Sequence, residues 1–218
     1  MKGEKLMRIK IEHLNKKFGH IEILKDINCE FQGGKIYGIT GHNGSGKSVL
    51  LKIITGLYFP SSGTVLFNDI NIHKKKIFLP NARALIDKPN FISELTGKEN
   101  LEILLNIEKK YKYEDIEFYL KELNLFNYMD LKYCKYSFGM KQKLGIIQVL
   151  MEEPDIIILD EPFNGVDKKA TEKIKKILID LRKKGKLILV TGHNILDLNE
   201  ICDEIIELEN GELITKVS

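Results

Sequence analysis

Long hydrophobic runs are missing. No uninterrupted apolar stretch exceeds four residues (IIIL at 156–159 and LILV at 187–190). A membrane-spanning helix needs roughly 20 mostly apolar residues, so the sequence predicts no crossing of a membrane. The first residues, MKGEKLMRIKIEHL, are basic but hold no apolar stretch of the kind a signal peptide uses. Cysteine is scarce: Cys29, Cys134 and Cys202 stand far apart and are odd in number. That argues against a disulfide framework or a zinc site and points to the reducing cytosol. Arginine is confined to Arg8, Arg83 and Arg182, which leaves lysine as the other 31 of 34 basic residues. An AT-rich coding sequence accounts for that bias without a binding surface. A strong charge of one sign is also lacking. The net charge is +3, with much of the excess in the first 17 residues (Lys2, Lys5, Arg8, Lys10, Lys16 and Lys17 against Glu4 and Glu12). A nucleic-acid binder gathers more charge than this on one surface, so no nucleic-acid partner is expected. Repeats, low-complexity tracts and linkers are absent.

What is present is an alternation of strand and helix patterns across 218 residues, enough for one sizeable α/β domain. Residues 6–14 alternate and read as a strand, and 21–31 alternate again. Gln32-Gly33-Gly34 then turns the chain into KIYGIT (35–40), which reads as an antiparallel hairpin. A helical pattern covers 47–57, Pro60-Ser61-Ser62-Gly63 is a turn, and 64–68 is a short strand. Residues 97–152 are mostly helical. DIIILDEP and KLILVTGH are apolar strands around a helix at 168–184, whose Ala170, Ile174, Ile177, Leu178 and Leu181 share one face. A last hairpin turns at Asn210-Gly211. These elements predict an α/β fold with a mainly parallel sheet covered on both faces. The expected organisation is a single domain over 1–218, with a core of about 1–84 and 153–218 and a helical insertion of about 85–152.

GHNGSGKS, residues 41–48, fits G-x-x-x-x-G-K-[ST] between a strand and a helix. Gly41, Gly44 and Gly46 let the backbone curl with its N–H groups around phosphate oxygens, and the following helix adds its positive end. Lys47 is suited to the β- and γ-phosphates, and the Ser48 hydroxyl to Mg²⁺. His42, Asn43, Ser45 and Val49 belong to the same nucleotide-binding stretch. A glycine turn that binds nothing is the plainer alternative, which the strand–loop–helix context disfavours.

IIILDEP (156–162) places two carboxylates at the C-terminal end of a buried strand, where parallel sheets bind ligands. Asp160 is placed to hold Mg²⁺, directly or through water. Glu161 can orient or deprotonate an attacking water. Alone, Asp-Glu-Pro after a strand reads as a loop start; the phosphate loop upstream reverses that.

A phosphate loop leaves several nucleotide-binding families open. YSFGMKQK (136–143) narrows them, because it resembles the signature motif of the ABC ATPases, usually LSGGQ, in a form found among exporter ATPases. The order of motifs also fits: phosphate loop, helical segment, signature, acidic strand, lone histidine. The resemblance spans essentially the whole chain. It implies the ABC type of P-loop fold: a mainly parallel core with an antiparallel β subdomain and a helical subdomain. It also implies ATP hydrolysis with Mg²⁺, and pairing of two such chains, alike or different, around two ATP molecules. In that arrangement Ser137 and Gly139, at the start of a helix, would meet the γ-phosphate bound by the other subunit. A Ser N-cap without ligand is the alternative reading. Phe138 stands where the family has Gly or a small-to-medium apolar residue. By the same resemblance His193 is the switch histidine, Asp167 a residue of the dimer interface, and Phe18 an aromatic that stacks on adenine. A core phenylalanine and a surface-loop histidine remain the plainer readings of Phe18 and His193. His13, His20, His42 and His73 read as structural or exposed.

ALIDKP (84–89) resembles a segment of ATPases linked to lantibiotic and bacitracin export or immunity, where a glutamate often replaces the family's glutamine. Asp87 takes that place with a shorter acid, as a candidate nucleotide and Mg²⁺ contact that also faces the membrane partner. The expectation is therefore a transport ATPase at the cytoplasmic face of the cell membrane. It would drive a separate transmembrane subunit that exports a drug, lipid or antimicrobial peptide. A soluble ABC ATPase acting on a ribosome or DNA is the rival. Ser48 and Ser137 are only 89 positions apart, too close for the long coiled coil some of those carry. Lys74-Lys75-Lys76 reads as a solvated loop.

Overall fold

The computed structural model describes residues 7–108 and 111–217. Lys2, Glu4, Lys5 and Leu6 of the amino-terminal segment lie outside the described residues. β1 (Arg8–Phe18) and β2 (Ile21–Gln32) form a long antiparallel ribbon that turns at Gly19-His20, with Phe18 opposite Ile21. Register shifts near His13 and Asp26, both at positive φ, twist the ribbon. β3 (Ile36–Thr40) leads through the glycine-rich loop into α1 (Lys47–Ile54). β4 (Ser62–Phe67) and β5 (Ile70–Asn71) follow, then the single turn α2 (Ile72–Lys75) and β6 (Ala82–Leu85). Next come α3 (Gly97–Glu108), α4 (Glu117–Glu122) and α5 (Phe138–Leu150), joined by short 3₁₀ turns. The chain closes with β7 (Ile156–Leu159), α6 (Lys168–Lys183), β8 (Leu187–Gly192), α7 (Ile195–Asn199), β9 (Glu204–Glu209) and β10 (Glu212–Val217).

The strands build two sheets, in the orders β2-β1-β4-β5 and β10-β9-β3-β8-β7-β6. The first is antiparallel. In the second, β9, β3, β8, β7 and β6 run parallel and β10 is the antiparallel edge. The hairpin read at Gly33-Gly34 does not form. β3 is buried along its whole length, which suits the middle of a parallel sheet rather than a half-solvated ribbon. Gly33-Gly34 instead carries the chain from one sheet to the other, anchored by Gly33 N to Met7 O (2.8 Å) and Gly34 N to Gly185 O (3.0 Å).

Alternation along the central strands sorts their side chains onto two faces. Ile156, Ile158, Leu187 and Leu189 join Leu50, Leu51, Ile53 and Ile54 of α1 and the inner face of the antiparallel sheet. Ile157, Leu159, Ile188 and Val190 join α5, the buried stripe of α6, and the α3–α4 region. The parallel sheet is thus a partition between two cores. α1 stops at Ile54, short of the predicted 57, because the chain reverses at Gly56, where φ is +86°. α3 begins with a capping box, with Thr96 and Glu99 exchanging backbone and side-chain hydrogen bonds at 2.7 and 3.1 Å. The terminal hairpin turns at Asn210-Gly211, both at positive φ, as read from the sequence.

Candidate functional site

The glycine-rich loop lies at the C-terminal end of β3, between the two sheets. Gly41 has φ +147°, and a Cβ there would stand 2.2 Å from Leu208 O on the neighbouring strand β9. Only glycine lets the loop leave the sheet so close to its edge. α1 starts at Gly46 with no side-chain cap, so its first N–H groups and the positive end of its dipole face the cleft. Lys47 is folded into the loop: its Nζ donates to Gly41 O (2.7 Å) and His42 O (3.0 Å), and only 5 % of the residue is exposed. The same ammonium lies 3.8 Å from Glu161 Oε1. The Ser45 hydroxyl, 2 % exposed, has no hydrogen-bond partner among the described residues. The arrangement is a ring of donors around a cation, which an anion completes.

Asp160 follows β7 and is nearly buried. Its Oδ2 accepts from Ser48 Oγ at 2.5 Å and its Oδ1 from Thr191 Oγ1 at 2.5 Å. Glu161 sits at φ +48°, a left-handed conformation that costs a non-glycine residue about 1–3 kcal/mol and is typical of functional sites. Its N–H donates to Thr191 Oγ1 (2.9 Å), its carbonyl accepts weakly from Gln142 Nε2 (3.4 Å), and its carboxylate accepts from the Asn164 amide. His193 Nδ1 stands 3.9 Å from Glu161 Oε2, close but not bonded.

Three clefts meet here. One of about 340 Å³ lies over the loop and is lined by Ile23, Asn43, Gly44, Lys47, Ser48 and Glu161, among others. One of about 250 Å³ is lined by Ser48, Asp87, Phe138, Gln142, Asp160 and Glu161, among others. The third, about 110 Å³, holds Glu161, Asn164, Thr191 and His193. Glu161 lines all three.

For a metal, the donors are hard oxygens. Ser48 and Asp160 already touch, which fits Mg²⁺, an ion usually held by one or two protein oxygens together with substrate phosphates. Among the described residues no cluster of three or more His, Cys, Asp or Glu forms a metal cage. The Asp87 backbone N–H is 3.5 Å from Asp160 Oδ2, but its carboxylate turns to Lys52 at 2.6 Å. That hydrogen bond, which outweighs the opposing effect of burial, holds the Lys52 ammonium above the usual lysine range.

Ser137 caps α5, accepting from Met140 N at 3.2 Å, and Asp167 caps α6, accepting from Ala170 N at 2.9 Å. Gly139 packs so close to the loop after the acidic pair that a Cβ would meet Gly165 O at 2.6 Å. Phe18 is half-exposed, edge-on to Tyr58 (5.9 Å) with Lys16 Nζ over its ring (4.6 Å). It stands on the ribbon that supplies Ile23 to the cleft. Val49 packs at the margin of the α1 core and lines the loop cleft. His13, His20 and His42 are exposed; His73 is half-buried, and burial lowers its imidazole below the usual value. Sequence reasoning missed Thr191, and it gave Asn164 and Gln142 no role of their own although both lie in segments that carry the resemblance. The signal for Asn164 was its place three residues after Glu161, within reach of a turn. Thr191 carried no local signal, and the contact that Gln142 of YSFGMKQK makes with Glu161 is likewise formed only across the fold.

Comparison with known proteins agrees on one family. The family model described as ABC transporter matches residues 24–164. The chain is 35 % identical over 207 residues to YybJ, an ABC transporter ATP-binding protein of Bacillus subtilis, covering 95 % of each. It is 35 % identical to the bacitracin transport ATP-binding protein BcrA of Enterococcus faecalis, covering 96 % of this chain and 69 % of that one. It is 29 % identical to the lantibiotic transport ATP-binding protein SrtF of Streptococcus pyogenes, covering 94 % of this chain and 89 % of that one. Among solved structures, an ATP-binding subunit of an ABC transporter superposes with a TM-score of 0.85 at 26 % identity, covering 96 % of this chain and 89 % of that one. A dimeric ATP-binding cassette in a post-hydrolysis state with ADP and Pi superposes with a TM-score of 0.83 at 28 % identity, covering 95 % of this chain and 97 % of that one.

Proposed function

Because this chain belongs to the ABC transporter family and is an ATP-hydrolysing, ATP-binding subunit of a transporter, we propose that two copies, or this chain and a paralogue, close around ATP and drive a separate transmembrane subunit. The observation that carries the reading is the convergence of Lys47, Ser48, Asp160 and Glu161 on one cleft, with Ser48 Oγ 2.5 Å from Asp160 and Lys47 Nζ 3.8 Å from Glu161.

On this reading the phosphates displace the Gly41 and His42 carbonyls from Lys47, whose ammonium then neutralises charge on the β- and γ-oxygens. The N–H groups of the loop and of the α1 start bind the remaining oxygens. Ser48 and Asp160 would hold Mg²⁺, which supplies charge stabilisation at the phosphoryl group. Glu161 takes a proton from the water that attacks the γ-phosphorus. His193, within 4 Å of Glu161, donates to the γ-phosphate and keeps that water aligned. Phe18 is assigned to the adenine. Ser137 and Gly139 of the second subunit close the site, with Asp167 at the interface. Asp87, tied to Lys52, serves coupling more than the metal.

No helix among the described residues is long and apolar enough to cross a membrane, and the membrane-spanning partner in this proposal is a separate subunit. A groove of about 270 Å³ along α3 and α5, lined by Phe91, Ile92, Asn100, Ile103, Leu104 and Gln148, supports a seat for that partner at the cytoplasmic membrane face. The relatives named for bacitracin and lantibiotic transport support export of a drug, lipid or antimicrobial peptide. The test is Glu161→Gln with ATP and Mg²⁺. Retained ATP binding, lost turnover and a dimer on gel filtration are expected. Turnover at the wild-type rate removes Glu161 as the base.

A further inference from the structure

We propose that Thr191 is a positioning residue for ATP hydrolysis, its one hydroxyl fixing the rotation of the Asp160 carboxylate and the backbone of Glu161 from the neighbouring strand. The inference rests on the roles just proposed for Asp160 and Glu161, and adds a residue that reading does not use.

β7 and β8 lie side by side in register, Ile156 opposite Leu187 through Leu159 opposite Val190. Asp160, the residue after β7, and Thr191, still within β8, come next in that register, so they stand at the same level. Thr191 is fully buried. A hydroxyl carries one proton and two lone pairs. The Thr191 proton goes to Asp160 Oδ1 at 2.5 Å, and a lone pair takes the Glu161 N–H at 2.9 Å. An amide N–H only donates and an ionised carboxylate only accepts, so the group between them must do both. A hydroxyl does, and a methyl does neither.

The consequence lies in which carboxylate oxygen faces which strand. Oδ1 is held from β8, and Oδ2 is thereby presented to Ser48 on α1. Without the hydroxyl, Oδ1 is a buried acceptor lacking this donor, and the carboxylate is free to turn Oδ2 away from Ser48. Glu161 loses a restraint on a left-handed backbone that L residues avoid. The metal-side oxygen and the base both lose their geometry. The Lys47 contacts to Gly41 and His42 of the phosphate loop do not run through Thr191 and keep their geometry. The expected signature is therefore a lower kcat and a higher Mg²⁺ requirement with nucleotide binding intact. A threonine that only fills space would leave kcat unmoved when replaced by valine.

The experiment compares the purified full chain with Thr191→Val, Thr191→Ser and Glu161→Gln. It measures steady-state ATPase against Mg²⁺ concentration, and ADP affinity without metal. Thr191→Val should lower kcat by about 10–100-fold and raise the Mg²⁺ needed for half-maximal rate, with ADP affinity within about twofold. Thr191→Ser, which keeps the hydroxyl, should recover to within about threefold of wild type. The proposal is overturned by a Thr191→Val enzyme with wild-type kcat and Mg²⁺ dependence, or by Val and Ser variants equally impaired. Should Thr191→Val not unfold cooperatively, Thr191→Ala replaces it. Activity lost in Ala and kept in Ser supports the hydroxyl, and equal activity overturns it. Wild-type turnover by Glu161→Gln overturns the underlying assignment instead, whatever the Thr191 variants do.

Discussion

Replacing Gly165 by alanine tests how the segment after the acidic pair is held against the start of α5. Gly165 has φ +70°, and an added Cβ would stand 2.1 Å from Phe138 Cδ1 and 2.2 Å from Cε1. Two costs follow. The left-handed backbone costs an L residue about 1–2 kcal/mol. The ring must also move. Phe138 is half-exposed, so the ring can turn towards solvent rather than compress the core, and this cost falls at the low end for overpacking, about 1 kcal/mol. The sum is about 2–3 kcal/mol. In a chain of this size each kcal/mol is about 2–4 °C of Tm, so Gly165→Ala should lower Tm by about 4–12 °C. In a Phe138→Ala background the ring is gone and only the backbone cost of about 1–2 kcal/mol is left. The coupling between the two positions is then about 1 kcal/mol. Urea and thermal unfolding of the four proteins of the cycle measure it. A penalty for Gly165→Ala that is equal in both backgrounds refutes the packing argument. No penalty in either refutes the backbone geometry itself.

Four further outcomes are expected. Lys47→Ala should weaken ATP binding itself, read by nucleotide titration, because two loop carbonyls and the phosphates lose their cation. Ser137→Arg should abolish ATP-induced dimerisation on gel filtration while the monomer still binds nucleotide; hydrolysis at the wild-type rate would falsify the shared site. Lys175 is buried between α6 and α7, with Nζ 2.8 Å from Asp197 and 2.6 Å from Glu200. Burial pulls its ammonium down, but those two carboxylates outweigh it and hold it above the usual lysine value. Lys175→Met should cost about 1–3 kcal/mol in urea unfolding, less than a wholly buried pair because Glu200 is half-exposed. The raised value means this difference is constant from neutral pH up to the ordinary lysine value of 10.5 and is lost only above it. Burial pushes the Cys202 thiol up to about 12, so a thiol reagent at pH 8 should label exposed Cys134 quickly and Cys202 only on unfolding. The unfolded chain releases the Cys202 proton from about its ordinary value of 9.0 while the folded chain keeps it, so this group lowers stability as pH rises beyond that point.

Much of the site was legible because its parts are local. The phosphate loop, the acidic pair and the signature serine are each a short run of residues whose chemistry depends on spacing along the chain. The buried stripe of α6 and the Asn210-Gly211 turn were legible for the same reason, since helix periodicity and turn conformation are set within a few residues. The readings of Phe18 and Asp87 came only by resemblance, and their side-chain partners, Tyr58 and Lys52, were not in view.

By itself, then, the amino-acid sequence determined an α/β phosphate-binding fold, the kind of nucleotide chemistry it supports, and the order of the groups that carry it. The tertiary structure alone decided which strands pair in the parallel sheet. The Gly33-Gly34 turn read locally as a hairpin, yet β3 lies between β8 and β9, partners some 150 residues further on. It also decided that Thr191 and Asp160, 31 residues apart, are hydrogen-bonded, and that Ser48 meets Asp160 across 112. Those contacts are set by burying both faces of one apolar sheet between two cores. That is a property of the whole chain, and no window of neighbouring residues contains it.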